Sequence, residues 1–324
     1  MVGRACAVGL LLVVSGCGGE PAPGAEEERT PPFFGLDVPR ASTAEADRVG
    51  GLVGCRPTVE SAFVKLDSAF DADDLSRLGR DGRTPMVTLE PWSWRMGHDQ
   101  AESPAYALRR IVAGQYDAQL TVIARTLATH DGPVLLRFAH EMNANWYPWG
   151  TGVNGNVPDH YVYAWRHVHA LMSRIAPHLV WVWAPVVTTW ADAASLRSLY
   201  PGDDVVDLVG VTGYGRDDGT AEATFGPWYR EVRGFTDKPA MLAEIGASGP
   251  GKRAWIASLP AFLDEHPDIE GFVWFNTSPQ TTGATGDYRI DEHGADLTAF
   301  RSLLHRLGTP CSTLNSSTDP RENS

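Results

Sequence analysis

Two glutamates stand where short apolar runs of the sequence end. Glu141 closes the run VLLRFAHE (134–141), and Glu244 lies in AMLAEIG (240–246). Hydrolysis of a glycosidic bond needs two carboxyl groups beside that bond. One protonates the leaving oxygen, and the other attacks the anomeric carbon or activates water. Since a single glutamate after a strand is more often an ion-pair partner, the surrounding residues must decide between catalysis and structure.

Eight such runs, rich in β-branched residues, alternate with stretches of helical spacing. Strands that alternate with helices predict a parallel sheet, and eight units predict a single α/β domain, a (β/α)8 TIM barrel, over residues 33–308. A doubly wound open sheet is the alternative, although no Gly-rich phosphate loop follows the first run. The runs are FFGLDV (33–38), AFVKLD (62–67), MVTLE (86–90), VLLRFAHE (134–141), LVWVWAP (179–185), LVGVTGY (208–214), AMLAEIG (240–246) and GFVWFN (271–276). Helical spacing is clearest over residues 116–130, 160–175, 253–263 and 296–307.

Acidic and aromatic residues close these runs. In a (β/α)8 barrel the carboxyl ends of the strands carry the active site. A buried carboxylate without a partner is costly, so a ring of acids at one end of the barrel indicates function rather than packing. The residues are Asp37, Asp67, Glu90, His140, Glu141, Trp183, Tyr214, Glu244, Trp274, Phe275 and Asn276.

Four segments resemble glycoside hydrolase family 26, which comprises retaining endo-β-mannanases and related β-glucanases and β-xylanases on (β/α)8 barrels. RFAHEMNANWYPWG (137–150) is similar to the acid/base motif of that family. WVWAPVVTTWADAASLRSLYPGDDVVDLVGVTGYG (181–215) resembles its fifth and sixth strand region. KPAMLAEIGAS (238–248) resembles its nucleophile strand, and IEGFVWFN (269–276) its eighth strand.

The resemblance implies roles at the matched positions. Glu141 would be the acid/base and Glu244 the nucleophile. His140 would help to hold the hydrogen bonds of the site, and Trp146 would be an aromatic residue of the cleft. Tyr214 would contact the nucleophile, and Trp274 would form the aromatic floor under the reacting sugar. Two positions depart from the family: Thr212 stands where Asp is frequent, and Phe275 where characterised mannanases carry a basic residue. These departures bear on the choice of sugar more than on the reaction.

The two glutamates need opposite environments. Glu141 must be protonated to act as an acid, so apolar neighbours should raise its pKa, and Trp146, Tyr147 and Trp149 are available. Glu244 must be ionised to attack, which the Tyr214 hydroxyl can favour by donating a hydrogen bond. In a retaining enzyme the two carboxyl groups would lie about 5–5.5 Å apart.

Further residues near the strand ends are candidates for substrate binding. Arg137 lies four residues before Glu141 and faces the same side, so we expect it to position carboxylates. Glu90 contacts a sugar hydroxyl or, alternatively, is a structural acid paired with Arg95. Flat indole faces suit the C–H faces of sugars, and the tryptophans that could extend the cleft are Trp92, Trp94, Trp190 and Trp228.

The resemblance predicts a retaining endo-β-glycanase, with β-1,4-mannan as the default substrate. Mixed-linkage β-glucan, β-1,3-glucan and β-1,3-xylan remain alternative substrates. A catalytically inactive, glycan-binding lipoprotein is a further alternative, which the presence of both glutamates argues against. No metal or other cofactor is expected: His140 and Glu141 begin like the helix motif of zinc proteases, but Ala144 occupies the place of the second histidine.

The composition limits the partners. The chain has 324 residues and a formal net charge of −13. Nucleic-acid binders need a basic surface to neutralise phosphates, so no nucleic-acid partner is expected. An acidic surface is compatible with a neutral polysaccharide, and a monomer is the simplest expectation.

The N-terminus has the pattern of an export signal. Arg4 precedes the apolar stretch 5–14, and Ser15 and Gly16 precede Cys17. This pattern resembles a bacterial lipobox, in which Cys17 is lipidated after residues 1–16 are removed. The alternative is an ordinary cleaved signal with a chance cysteine. The lipoprotein interpretation predicts an exported, membrane-anchored protein, in which residues 17–32 form a flexible tether.

The remaining cysteines form an even pair. Cys55 and Cys311 lie near opposite ends of the predicted domain. The first and last units of a closed barrel are neighbours, so a disulfide between them is sensible in an oxidising compartment. Two free thiols are the alternative. Residues 309–324 are predicted to form a polar C-terminal tail.

Overall fold

Eight parallel strands close into a barrel in the computed structural model, which describes residues 30–95, 101–187, 194–216, 219–309 and 311. Each strand pairs with the next, and the first pairs with the last. The prediction of a (β/α)8 barrel is therefore confirmed. The strands are β1 (Phe33–Asp37), β2 (Val59–Lys65), β3 (Thr84–Glu90), β4 (Val134–Phe138), β5 (Leu179–Trp183), β6 (Leu208–Gly215), β7 (Ala240–Ala247) and β8 (Ile269–Phe275).

The connections between the strands contain helices that cover the barrel. Their buried faces pack against the outer faces of the strands. The four stretches of helical spacing correspond to α4 (Asp117–Leu127), α5 (Pro158–Met172), α8 (Lys252–Glu265) and α10 (Gly294–Leu307). The helices are α1 (Thr43–Val53), α2 (Ala72–Leu78), α3 (Leu108–Val112), α4 (Asp117–Leu127), α5 (Pro158–Met172), α6 (Leu196–Leu199), α7 (Ala221–Val232), α8 (Lys252–Glu265), α9 (Pro279–Thr282) and α10 (Gly294–Leu307).

The barrel interior is filled by side chains from alternate strand positions, as the period of two of a β-strand requires. Its lower part is an apolar plug that carries no chemistry. The buried members of this plug are Val59, Met86, Leu135, Val180, Val182, Ala184, Leu208, Met241, Ala243 and Val273. Polar side chains begin at the next inward-facing positions towards the carboxyl ends of the strands, so the fold places the chemistry at that end.

Several strands end earlier than the sequence predicted, and two of these shifts move acidic residues off their strands. β4 ends at Phe138, so His140 and Glu141 lie in the following loop and not on the strand. β2 ends at Lys65, so Asp67 also lies beyond its strand. The Asp67 carboxylate accepts hydrogen bonds from the Ser93 hydroxyl and the Trp94 amide, and it thereby holds the loop after β3.

Cys55 and Cys311 form a disulfide. Cys55 follows α1, and Cys311 follows α10, which packs beside α1. The bridge therefore joins the first and last helices of the barrel. Residues 1–29, which include Cys17, and residues 312–324 lie outside the described part of the chain. Among the described residues, no helix combines the length and apolar character needed to cross a membrane.

Candidate active site

The loop after β4 holds Glu141 in an unusual backbone conformation. Ala139 and Glu141 have φ values of 46° and 55°, in the left-handed region that residues other than glycine seldom adopt. Such conformations persist only where the surroundings enforce them, and they concentrate at functional sites. Here the Glu141 amide donates to the Ala184 carbonyl oxygen over 2.8 Å, which fixes the residue against the end of β5.

Asn143 ties the same loop to the chain that follows β5. Its side-chain amide donates to the Val186 carbonyl oxygen over 2.8 Å, and its side-chain oxygen accepts from the Val186 amide over 2.9 Å. Both residues are buried. The two bonds replace the strand pairing that β4 has given up, and they leave Glu141 aimed at the barrel axis.

Glu141 has the environment of a carboxylic acid that keeps its proton. Burial and the nearby charge of Glu244 raise its pKa to about 8. The Trp146 indole N–H donates to Glu141 Oε2 over 2.6 Å and opposes this rise, as does the positive charge of Arg137. The balance leaves Glu141 protonated at neutral pH, the state that a general acid needs.

Glu244 is held instead by donors that favour its charged form. Arg137 Nη2 donates to Glu244 Oε2 over 2.6 Å, and the Tyr214 hydroxyl donates to Oε1. A hydrogen bond from a guanidinium to a carboxylate is stronger than a neutral one. Arg137 also donates to Thr88 Oγ1 over 2.8 Å and approaches Thr212 Oγ1 at 3.4 Å. We call Thr88, Arg137, Thr212 and Glu244 the arginine layer.

A bulge in β7 aims Glu244 inward. Gly210 and Thr212 of β6 pair with Met241 and Glu244 of β7, so β7 uses one residue more than β6 over this step. An extra residue of this kind re-aims the side chains that follow it. Ala243 belongs to the apolar plug, and Glu244, the very next residue, reaches Arg137 in the interior.

Aromatic rings surround His140, which is 1 % exposed. Its ring lies 5.0 Å from that of Tyr147 and 5.7 Å from that of Phe63. Burial and the charge of Arg137 keep its pKa well below the usual range, so the imidazole is neutral. Its Nδ1 has no hydrogen-bond partner among the described residues. The Trp149 indole N–H donates to the His140 carbonyl oxygen over 2.7 Å, so the backbone of His140, rather than its ring, is held by a hydrogen bond.

Glu90 lies beside Lys65 at the mouth of the barrel. Lys65 Nζ is 3.6 Å from Glu90 Oε2, and the Trp92 indole N–H donates to the same oxygen over 3.0 Å. Lys65 Nζ also lies 4.4 Å from the centre of the Trp92 ring. The sequence had paired Glu90 with Arg95 as an alternative, whereas the structure places Lys65 against it.

Trp274 does not face the site, which corrects its predicted role as the floor under the sugar. Its indole lies in the layer between barrel and helices, 5.0 Å from the Phe300 ring and 0 % exposed, and it donates to the Tyr288 carbonyl oxygen. Phe275, the next residue, faces the interior and contacts Phe63 and Tyr214.

The other tryptophans divide between the interior and the surface. Trp92 is 1 % exposed and packs against Tyr147, and Trp228 is buried on α7. Neither offers a free ring face to a glycan. Trp94 and Trp146, in contrast, are exposed. Trp190 lies outside the described residues.

Three residues near the site received no individual role from the sequence. Asp37, at the inward end of β1, is buried, and burial with the charge of Glu244 raises its pKa to about 8. The sequence placed it among the acids at the strand ends but assigned it no role. Tyr288 stacks on Tyr214 with ring centres 4.5 Å apart. It comes from an irregular loop, where no sequence period gives a signal. Lys65 could be placed beside Glu90 only once the register of β2 on β3 was known.

The sequence model of glycosyl hydrolase family 26 matches residues 89–259, more than half of the chain. This stretch includes both glutamates and the arginine layer except Thr88. The chain therefore belongs to glycosyl hydrolase family 26.

Several characterised relatives share part of the chain. Endoglucanase H of Acetivibrio thermocellus is 26% identical over 69% of this chain and 24% of its own length. A β-1,3-xylanase of a Vibrio species is 30% identical over 56% of this chain and 46% of its own length. A mannan endo-1,4-β-mannosidase of Bacillus subtilis is 26% identical over 75% of this chain and 73% of its own length. The chain thus matches less than half of the first two relatives.

The fold is also found in solved structures of the family. A family 26 β-mannanase from Bacteroides ovatus superposes with a TM-score of 0.65 at 16% identity, over 88% of this chain and 91% of that one. At this level of identity the likeness concerns the fold.

Proposed function

We propose that this protein is a retaining endo-β-glycanase that hydrolyses a β-linked polysaccharide by double displacement. The observation that carries the proposal is the opposite treatment of two buried carboxyl groups. Glu141 receives a hydrogen bond from a neutral indole and keeps a raised pKa, whereas Glu244 receives a guanidinium and a phenol. The first arrangement suits an acid and the second suits an anionic nucleophile.

In the proposed first step, Glu141 gives its proton to the glycosidic oxygen while a carboxylate oxygen of Glu244 attacks the anomeric carbon. The C–O bond to the leaving sugar breaks, and a glycosyl ester forms on Glu244. In the second step, Glu141 takes a proton from water, whose oxygen attacks the same carbon and releases Glu244. Two inversions leave the anomeric configuration as it was.

The electrostatics support the change of role of Glu141 between the steps. The negative charge of Glu244 is one of the two causes that raise the pKa of Glu141 most. Esterification removes that charge, so the pKa of Glu141 falls and its carboxylate becomes available as a base. The protein needs no movement of the acid for this exchange of roles.

β-1,4-Mannan is the substrate that we propose first, with support from the mannosidase of Bacillus subtilis among the relatives. Mixed-linkage β-glucan, β-1,3-glucan and β-1,3-xylan are the alternatives, and the endoglucanase and the xylanase among the relatives support these classes. A glycan-binding protein without activity is less well supported, because Arg137 and Tyr214 hold Glu244 as a nucleophile requires.

A substrate panel tests the proposal. The purified protein is incubated with the four polysaccharides, new reducing ends are counted, and product lengths are measured. An endo-acting enzyme releases mixed oligosaccharides early, and proton NMR of the first products should show the β-anomer. A folded protein without activity on all four would overturn the hydrolase proposal, and an initial α-anomer would overturn retention.

We further propose that the protein is exported and anchored through a lipid on Cys17. The apolar stretch before Ser15, Gly16 and Cys17 supports this location. The Cys55–Cys311 disulfide supports it as well, since such bonds persist in oxidising compartments. Labelled fatty acid should enter the wild-type protein in a bacterial host and fail to enter a Cys17→Ala variant. Equal labelling of the two would contradict the anchor.

A further inference from the structure

Lys65 and Glu90 form a charged pair that the proposed mechanism does not use. They are register partners at the carboxyl ends of β2 and β3. The side chain of Lys65 is 17% exposed and that of Glu90 is 6% exposed, so the pair is largely removed from water. Burying two charges is expensive and is often no better for stability than apolar packing. A charged pair at the mouth of an active site is therefore a candidate for substrate binding.

The position of the pair relative to the reacting bond follows from the strand geometry. Thr88 belongs to the arginine layer and accepts a hydrogen bond from Arg137. Glu90 lies two residues further along β3 and thus faces the same side, about 7 Å closer to the mouth. The charge of Glu90 is also felt by Glu141, where it contributes to the raised pKa. The pair therefore lies one layer above the nucleophile, within reach of a sugar at the scissile bond or beside it.

The pair offers one acceptor and one donor side by side. Lys65 Nζ and Glu90 Oε2 are 3.6 Å apart. A carboxylate can accept about four hydrogen bonds, so the contacts with Lys65 and Trp92 do not by themselves prevent Glu90 from accepting a hydrogen bond from a sugar. An ammonium has three N–H donors. One side of the Lys65 ammonium lies over the Trp92 ring. Two hydroxyl groups on adjacent carbons of a sugar present the matching donor and acceptor.

We infer that Lys65 and Glu90 together recognise a vicinal diol on an internal sugar and thereby select β-1,4-linked over β-1,3-linked chains. This inference rests on the proposed glycanase function. In a 1,4-linked chain, an internal sugar has free hydroxyls on the adjacent carbons 2 and 3. In a 1,3-linked chain, carbon 3 carries the linkage, and the free ring hydroxyls on carbons 2 and 4 are not adjacent. Only the first type of chain satisfies both members of the pair.

The test compares oligosaccharides of equal length that differ in linkage. We would measure kcat/KM on β-1,4-linked manno- and gluco-oligosaccharides and on β-1,3-linked xylo- and gluco-oligosaccharides. The wild type should favour the 1,4-linked series. Lys65→Met and Glu90→Gln should each lower kcat/KM on that series roughly 10- to 100-fold, the loss expected for a hydrogen bond to a charged group, and should change it little on the 1,3-linked series.

Matched variants separate recognition from folding. Lys252→Met removes another buried lysine, whose Nζ lies 3.3 Å from Asp296 on the outside of the barrel, and it should leave the linkage preference unchanged. Lys65→Arg keeps the charge and should retain most of the preference. Circular dichroism would identify a variant that does not fold.

Each outcome decides the inference. A wild-type preference for 1,3-linked chains would overturn it, and so would equal losses on both series, which would mark the pair as structural. An unchanged kcat/KM in both variants would also refute it. A folded wild type that cleaves no β-glycan would reject the glycanase proposal, and the inference with it, whereas the first three results concern the pair alone.

Discussion

Glu141 and Glu244 are distinguished by their hydrogen-bond partners and not by their depth in the protein, because each is 6% exposed. An indole N–H is a neutral donor, and a guanidinium carries a full charge. The charge of Arg137 therefore acts mainly on Glu244, to which it is bonded, and less on Glu141. Two identical side chains in one cavity therefore have different electrostatic surroundings.

The role of Glu244 is open to a chemical test. Glu244→Ala should lower kcat roughly 10⁴-fold or more, since the covalent route is lost. Azide is small enough to enter the space that the side chain leaves, and it would attack the anomeric carbon directly. The product should be a glycosyl azide of inverted configuration, visible by NMR. Full residual activity in the alanine variant would show that another residue is the nucleophile.

The hydrogen bond from Trp146 should influence the alkaline limit of the proposed activity. Glu141 must be protonated to act as an acid, so kcat/KM of the wild type should fall as the pH rises through about 8. The indole N–H stabilises the carboxylate and so lowers the pKa. Trp146→Phe removes this donor, and the alkaline limb of the pH profile should move to higher pH. A limb that moves to lower pH, or stays in place, would contradict this account of Glu141.

Single residues were predictable where strand period and chemistry agree, and unpredictable where they do not. The two glutamates, Arg137 and Tyr214 lie as expected on the inner side. The side of the strand that Trp274 faces could not be predicted, because GFVWFN is apolar on both faces and contains no alternation that shows which residues point inward. Only the packing of the indole against Phe300 reveals its side.

At the scale of elements, the loop after β4 and the bulge in β7 perform the same task. Each departs from regular strand geometry at or immediately before a proposed catalytic carboxyl group, and each fixes the position of that group at the end of the barrel. A regular β4 would have kept Glu141 on the side of Arg137 by the period of the strand, whereas the loop ties it to the chain that follows β5. The departures cost backbone strain or ladder hydrogen bonds, which other contacts must offset.

Asn143 supplies such a contact, and its removal should be felt in both stability and rate. Asn143→Ala deletes two hydrogen bonds and leaves the buried amide and carbonyl groups of Val186 without that partner. We expect a loss of roughly 2–4 kcal/mol in the free energy of unfolding. Because Glu141 would lose its alignment, kcat should fall more than KM rises.

Chemical denaturation and steady-state kinetics measure the two effects of this substitution. Thr151→Val is a matched control in the same loop, since it removes a single bond, to the Met142 carbonyl oxygen. It should have a smaller effect on kcat. Equal kcat values for Asn143→Ala and the wild type would show that the loop holds Glu141 without this amide.

The strands and four of the longer helices could be predicted from the sequence, because apolar runs recur eight times and helical spacing is clear in four of the segments between and after them. The end of β4 could not, because left-handed residues at 139 and 141 depend on a bond to Ala184, 43 residues further along the chain. The bulge in β7 was equally hidden, since AMLAEIG is apolar around its glutamate. Contacts between distant segments decide these details, and local patterns do not encode them.

For the whole molecule, the Cys55–Cys311 disulfide closes a chain segment with a sequence separation of 256. A bridge of this span restricts the unfolded chain strongly, and such bonds contribute about 2–5 kcal/mol. Cys311→Ser should lower the melting temperature without changing kcat at 25 °C, because the bridge lies away from the strand ends that carry the site. A reducing agent should lower the melting temperature of the wild type to a similar extent and leave the variant unaffected. Equal melting curves for all samples would show that the disulfide does not contribute to stability.

Arg137 connects the active site to the integrity of the barrel. From β4 it reaches Thr88 on β3, Thr212 on β6 and Glu244 on β7, and it is completely buried. Deleting the Glu244 carboxylate would leave this cation in the interior without its bonded anion, a change that commonly costs about 3–5 kcal/mol. Glu244→Ala should therefore melt well below the wild type, whereas Glu141→Ala, which removes a protonated group, should not. The proposed nucleophile is thus also the counterion of a charge that contacts four strands, so its replacement should affect both the reaction and the stability of the barrel interior.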